Sequence, residues 1–328
     1  MPTPMMTAAY VEALGPAAEI RVGPLPVPAI GPTDVLVAVD TVALNPVDVY
    51  VRSGRYRTPV PLPFIVGRDL VGVVAAVGSA ASPFRPGEPV WSNSLGHDGR
   101  QGSFAEYAAV PADRLYHLPD GASPHTAVAV AHPAATAYLG LFVHARLRAG
   151  ETVFVGGGAG NVGTAAIQMA VVAGARVITS AGVEDHASCR DAGAAVVLDY
   201  RDPHLRRRLL SYAGAGVDIW WDTSGTNDLA LAAEATAVGG RILLTAARSA
   251  HSTAPLPQLY TRDLSVHGFV ISRASVSDLA AAAAFINTLL PAGLLRTRIT
   301  DELPLADTAA AHERMEAGAM SGRLLLRP

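Results

Sequence analysis

The sequence predicts an α/β fold: a Rossmann-type doubly wound parallel sheet joined to an irregular, mainly antiparallel, barrel-like β domain. Three observations predict it. After residue 127, apolar strand-like runs recur roughly every 20 to 25 residues, a spacing too long for hairpins and suited to βα units. A glycine-rich turn joins the first of these runs to a helical stretch. Before residue 127, short β-like runs alternate with Gly and Pro turns, as in an irregular barrel.

In chain order, strands are expected over 34–39, 70–77, 89–92 and 103–110 in the first region. In the second they are expected over 152–155, 176–180, 195–199, 217–222, 241–245 and 265–269. Helices are expected over 161–173 and 227–237, and a further amphipathic or buried helix over 279–290. The tail at 322–327 reads as one more strand, returning to the first domain. The domain division that follows is 1–127 with 273–328, and 128–272 between them.

Bulk properties narrow the function. A chain of 328 residues, half of them hydrophobic, is long for one core and favours two domains. Net charge is −3 and no basic stripe appears, so nucleic acid is not an expected partner. Cys189 is the single cysteine, which excludes an intramolecular disulfide and a thiolate zinc cluster and suits a reducing cytoplasm. The N-terminal stretch MPTPMMTAAYVEALG lacks a charged region followed by an apolar one, so no signal peptide is expected. The longest alanine-rich run, 279–286, is far too short to span a bilayer, and no membrane association is expected.

Chemistry concentrates first in the glycine turn. Gly158, Gly160 and Gly163 follow the strand at 152–155 in the spacing G-x-G-x-x-G, and a helix follows them. In that context the first glycine permits the tight turn, the second lets backbone approach a pyrophosphate, and the third packs helix on strand. The helix N-terminus then offers N–H donors to phosphate. Gly158, Ala159, Gly160, Asn161, Val162 and Gly163 are therefore candidate dinucleotide contacts. A missing residue adds to this. The second strand of an NAD-binding unit ends in an acid that holds the ribose hydroxyls. Here it ends in Ser180, and the first acid, Glu184, comes later. A hydroxyl there accepts a 2′-phosphate that a carboxylate would repel, so NADPH is the expected cofactor. His186 and Arg201, with Arg190, are the candidate phosphate-binding bases.

Two further runs lie in the first domain, 43–56 with Asn45-Pro-Val-Asp48, and 62–74 with Gly67-Arg-Asp69-Leu-Val-Gly72. With Pro86-Gly87, Thr136-Ala-Tyr138, the glycine turn and Gly322-Arg323, they resemble the zeta-crystallin-like quinone oxidoreductase branch of the medium-chain dehydrogenase/reductase superfamily. The resemblance covers nearly the whole chain. It implies a GroES-like catalytic domain split by a Rossmann domain, with the active site in the cleft between. Zinc-containing members carry Cys in the first motif and His-Glu in the second; here those places hold Asn45 and Arg68-Asp69. No metal is therefore expected, with His97, His117 and His132 too scattered to suggest a site.

Without a Lewis acid, hydride transfer favours acceptors that are already electrophilic, such as quinones and α,β-unsaturated carbonyls. The resemblance implies that Tyr56, in a Gly-x-Tyr element, meets the developing enolate, either as proton donor or as a packing lid. It implies that Asn45, Thr136, Phe269 and Val270 lie near the nicotinamide, and that Arg323 approaches the cofactor. Asn45 also suits an Asx turn before Pro46, Asp48 and Arg52 could form a structural pair, and Tyr50 packs or contacts ligand. Three functions remain open: a quinone or enone reductase, a dedicated enoyl or enone reductase of a biosynthetic pathway, and an NADPH-binding protein with little turnover. The last strand of the parallel sheet, within 264–271, should lie at an edge that two-fold pairing would cover, so a homodimer with independent sites is expected.

Overall fold

The computed structural model describes residues 4–81, 83–318, 320 and 322–328. The chain divides into two compact units. One holds the chain up to His132 with Leu279–Gly293 and Thr297–Pro328; the other holds Pro133–Asp278 with Leu294–Arg296. Both main crossings fall inside helices, so no loop or change of composition marks them.

The first unit begins with β1 (Met5–Val11), β2 (Arg21–Pro26), β3 (Asp34–Ala43), α1 (Pro46–Arg52), β4 (Phe64–Ile65) and β5 (Asp69–Val77). It continues through β6 (Pro89–Ser92), β7 (Tyr107–Pro111) and β8 (Tyr116–His117) into α2 (Pro124–Tyr138). β3 is the centre of this unit. Successive side chains of a strand point to opposite faces, and in the first half of β3 burial alternates so that Val35 and Val37 enter the core with Leu70, Phe104 and Leu324. β3 pairs antiparallel with β5 and also with β7, and two register shifts in the β3–β5 ladder bend the sheet into a barrel-like wall. β1, β2 and β4 form a separate three-stranded sheet.

The second unit contributes β9 (Thr152–Gly156), α3 (Asn161–Val172), β10 (Arg176–Ala181), α4 (His186–Asp191), β11 (Val196–Asp199), α5 (Leu205–Ala213) and β12 (Val217–Asp222). α6 (Leu229–Ala235), β13 (Thr236–Leu244), α7 (Leu256–Thr261) and β14 (Ser265–Gly268) follow. All ladders are parallel, in the order β11-β10-β9-β12-β13-β14. The strand order reverses between β9 and β12, whose last residues Gly156 and Asp222 are register partners. Ligands of such sheets bind beyond the strand ends at this switch point. β14 lies at one edge of the sheet, with the expected partner-free position.

The chain then returns to the first unit through α8 (Val276–Leu289), β15 (Ile299–Pro304), α9 (Thr308–Glu316) and β16 (Arg323–Arg327). β16 pairs with β3 and β15, so the tail does rejoin the first domain. α2 continues through a π-helical turn at Leu139–His144. The combined segment 124–144 is long and apolar enough to cross a membrane, a length the alanine-rich run at 279–286 did not suggest. Its apolar window is 72% buried inside the protein, the pattern of a core helix.

The helix expected to run to 237 stops at Ala235, and β13 starts at once. Arg262 explains the early stop. Its guanidinium donates to the carbonyls of Ala233, Glu234 and Thr236, the free acceptors at the α6 C-terminus. Arg262→Ala should therefore destabilise the folded chain by about 1–3 kcal/mol, read by urea unfolding. An unchanged midpoint and slope would show that water caps this helix equally well.

Candidate active site

In the second unit, β9 delivers the chain into the glycine turn at the switch point. The tight turn is made by Gly157, at φ +71°, one residue earlier than the sequence suggested. Gly158 serves close packing instead: a Cβ there would lie 2.0 Å from Thr179 Oγ1 on β10. Gly160 is the N-cap of α3, and a Cβ at Gly163 would lie 2.2 Å from the Gly157 carbonyl oxygen. The glycines thus let α3 start directly against the turn. Asn161 and Val162, partly exposed, form the first residues of that helix.

Beside the turn is a cavity of about 440 Å³, lined by Gly156, Gly157, Ala159, Gly160, Ser180 and Gly182, with Asp185 and Tyr200 among the others. Its size and its backbone donors suit one end of a dinucleotide. Ser180 borders it as expected, but Arg201 is not free. Glu184 takes both its terminal nitrogens at 3.1 Å, and its guanidinium lies over the Tyr200 ring. The acid four residues beyond Ser180 therefore neutralises the base meant for the 2′-phosphate. His186, in the first turn of α4, keeps its Nε2 buried without a hydrogen-bond partner. Tyr200, which borders the cavity, follows β11 without any motif that marks it.

Phe269 stacks on His144 with ring centroids 4.4 Å apart and borders a second cavity of about 370 Å³ with Asn227, Leu244 and Thr245. Val270 caps the short turn at Ile271–Arg273, and Thr136 is nearly enclosed on α2.

In the first unit the two motifs meet. α1 starts at Asn45, whose N–H donates to the Asp48 carboxylate at 2.8 Å, one half of a capping box. The Asn45 side chain donates to Asp69 Oδ2 at 2.8 Å and to the Ala43 carbonyl at 3.2 Å. Arg323 Nη1 donates to Asn45 Oδ1 at 3.0 Å, and Arg323 Nη2 lies 3.6 Å from Asp69 Oδ2. His132 Nδ1 is 4.0 Å from the other Asp69 oxygen. Asp48, Arg68, Asp69 and Arg323 are all buried, so two carboxylates balance two guanidiniums.

Burial sets the electrostatics. It pushes Asp69 up to about 7, against the pull of Arg323, and Asp48 up to about 6, against the pull of Arg68. It holds His132 well below the usual histidine range, with Arg68 and Arg323 acting in the same direction. Tyr56 is half-buried against the barrel core, its ring 6.1 Å from that of His97, and its phenol acts electrostatically on Arg68.

This geometry corrects three expectations. Arg323, expected at the cofactor, is 1% exposed and turns one nitrogen to Asn45 and one toward Asp69, while its Nε and Nη2 have no hydrogen-bond partner among the described residues. Asn45 has both amide hydrogens committed to protein acceptors, so it orients the network and has no N–H left for a nicotinamide. Asp48 does not pair with Arg52, which instead reaches Glu316 on α9 and the Gly15 carbonyl. A divalent metal does not fit here. The network has no thiolate, its carboxylates already face two cations, and the described residues hold no cluster of three metal-binding side chains.

Residues 31–120 match the alcohol dehydrogenase GroES-like domain, and residues 161–288 match the zinc-binding dehydrogenase domain. Human quinone oxidoreductase is 30% identical over 89% of this chain and 88% of its own. The chain belongs to the quinone oxidoreductase branch of the medium-chain dehydrogenase/reductase superfamily. It is an oxidoreductase. A mycocerosic acid synthase-like polyketide synthase of Mycobacterium tuberculosis is 34% identical over 90% of this chain, which spans 14% of that protein. A solved NAD-dependent alcohol dehydrogenase superposes with a TM-score of 0.88 at 32% identity, covering 98% of this chain and 100% of its own. A mycobacterial protein solved in complex with NADPH gives 0.85 at 28% identity over 98% and 100%. A nicotinamide cofactor and the two-domain α/β architecture follow from this membership.

The raised Asp69 makes this oxidoreductase's stability depend on pH with a definite sign. Its carboxyl holds a proton up to about pH 7 when folded but loses it near 3.8 when unfolded. The contribution is complete below the lower value and is lost as pH rises through the upper one. Asp69→Asn mimics the protonated form at all pH values. Native stability relative to this variant should fall between about pH 4 and about pH 7 and then level off, read by urea unfolding. A pH-independent difference would contradict the account.

Proposed function

We propose that this oxidoreductase reduces a quinone or an α,β-unsaturated carbonyl compound with NADPH and without zinc. The observation that carries the reading is the composition of the buried network. Asn45, Arg68 and Asp69 occupy the positions where zinc members carry ligands, and Asp48 and Asp69 already face the guanidiniums of Arg68 and Arg323. A carbonyl without a Lewis acid needs conjugation to accept hydride, because the arriving charge then spreads onto an oxygen at the far end of the π system.

When bound, the nicotinamide supplies the hydride. The glycine turn and the α3 N-terminus hold the dinucleotide phosphates, and Ser180 and Tyr200 border the ribose end. Tyr56 hydrogen-bonds or protonates the developing enolate oxygen, with Arg68 as the cation behind it. Preference for NADPH is supported by Ser180 in place of an acid and by the NADPH complex of the mycobacterial relative. The pairing of Arg201 with Glu184 leaves that preference resting on neutral donors. A second reading, a reductase dedicated to one enoyl substrate of a biosynthetic pathway, is supported by the 34% identity with the polyketide synthase segment. We also place the chain in the cytoplasm as a homodimer paired through β14, where exposed Val266 lies on the sheet edge.

Cofactor consumption with a panel of quinones and enones tests the function. Turnover of conjugated acceptors at NADPH concentrations where NADH is about tenfold weaker is the expected result. Tyr56→Phe should slow enone reduction about 100-fold and quinone reduction less, since water can protonate a quinol oxygen. Tight cofactor binding without turnover of any acceptor would leave a binding protein.

A further inference from the structure

We infer that Arg248 is a cofactor-positioning residue that clamps the pyrophosphate of the dinucleotide; this rests on the nicotinamide reading above. The argument is one of charge. Besides its glycines, the 440 Å³ cavity is lined by three carboxylates, Asp185, Asp222 and Asp228, and by a single basic side chain, Arg248. The chain contains no lysine at all, so any further cation must be Arg or His.

Two of the acids are engaged. Asp222 accepts the N–H groups of Ser224 and Asn227, at 2.9 and 2.8 Å, and Asp228 caps α6 through the N–H of Leu231 at 2.9 Å. A pyrophosphate entering the cavity would add charge of the same sign as a carboxylate. Dipoles of the α3 N-terminus alone supply about half an elementary charge. A guanidinium facing the phosphates compensates better, because its planar fork matches two phosphate oxygens.

Arg248 is held ready for this. Its N–H donates to the Gly225 carbonyl at 2.9 Å and its Nε to the Ser224 carbonyl at 3.1 Å. These two bonds fasten the loop after β13 to the loop after β12. Gly225, whose carbonyl takes one of these bonds, sits at φ +80°, a backbone conformation that favours glycine. Among the described residues, neither terminal nitrogen of Arg248 has an acceptor and no carboxylate pairs with it. Arg201, Arg206, Arg208 and Arg241 of the same unit each have a carboxylate partner. A tethered guanidinium with its fork unused, on the wall of a cavity rich in carboxylates, is the group a pyrophosphate would meet.

The test is binding, by titration of the purified chain with NADPH and with NADH, followed by fluorescence. Arg248→Gln should weaken both cofactors by the same factor, about 10- to 100-fold, because both carry the pyrophosphate. Arg248→Lys, which keeps the charge and loses the fork, should fall between. An unchanged melting temperature would show that the loss is not unfolding. Loss of NADPH affinity alone would mean that Arg248 reads the 2′-phosphate, and unchanged affinity for both would mean that it reads neither; each overturns the assignment while the cofactor reading stands. If the native chain binds neither dinucleotide, the assignment and the cofactor reading fall together.

Discussion

The contact on which the first unit depends is the meeting of Asp69, Asn45 and Arg323 in a region with almost no solvent. Charges taken out of water cost several kcal/mol each unless they are paired and hydrogen-bonded. Here one amide bridges carboxylate and guanidinium, so neither ion is left alone. The three residues come from the N-cap of α1, two residues after β3, and from the starts of β5 and β16. The node therefore fixes where the C-terminal strand enters the sheet and where α1 begins. Tyr56 follows directly, since its N–H bonds the Tyr50 carbonyl in α1. The placement of the proposed proton donor thus follows from the charge network.

The same node bears on metal chemistry. Changing thiolate and imidazole ligands to amide, guanidinium and carboxylate does not leave a hole. Arg68 and Arg323 are the cations of this network, and they face the carboxyl groups of Asp48 and Asp69. Under the function proposed above, a site without a Lewis acid takes acceptors that delocalise negative charge unaided.

Much of the fold was legible in the sequence because buried parallel strands are written as local apolar runs. The strand expected over 217–222 matches β12 at both ends, and the helix after the glycines begins at Asn161 as expected. Elements without that signal were not legible. β2 carries Gly23 and two prolines, and β15, with the sequence ITDELP, is mostly polar on an outer position. The site was legible as residue types but not as partnerships. Arg323 was expected at the cofactor because its partner Asn45 lies 278 residues away in the chain. Arg201 reads as a free base because nothing local says that Glu184 will turn toward it. Gly157 was passed over because the G-x-G-x-x-G spacing begins at Gly158, whereas the positive φ falls one residue before it. Periodicity reports local burial; it does not report which buried charge finds which.

The central claim is that the two motifs form a charge-balanced network in place of a metal centre. Elemental analysis of the purified, active protein tests it most directly, with turnover of a conjugated acceptor measured before and after exhaustive chelation. The account predicts zinc far below one atom per chain and a rate that chelation leaves unchanged. One zinc per chain, whose removal abolishes turnover and whose return restores it, would contradict the account.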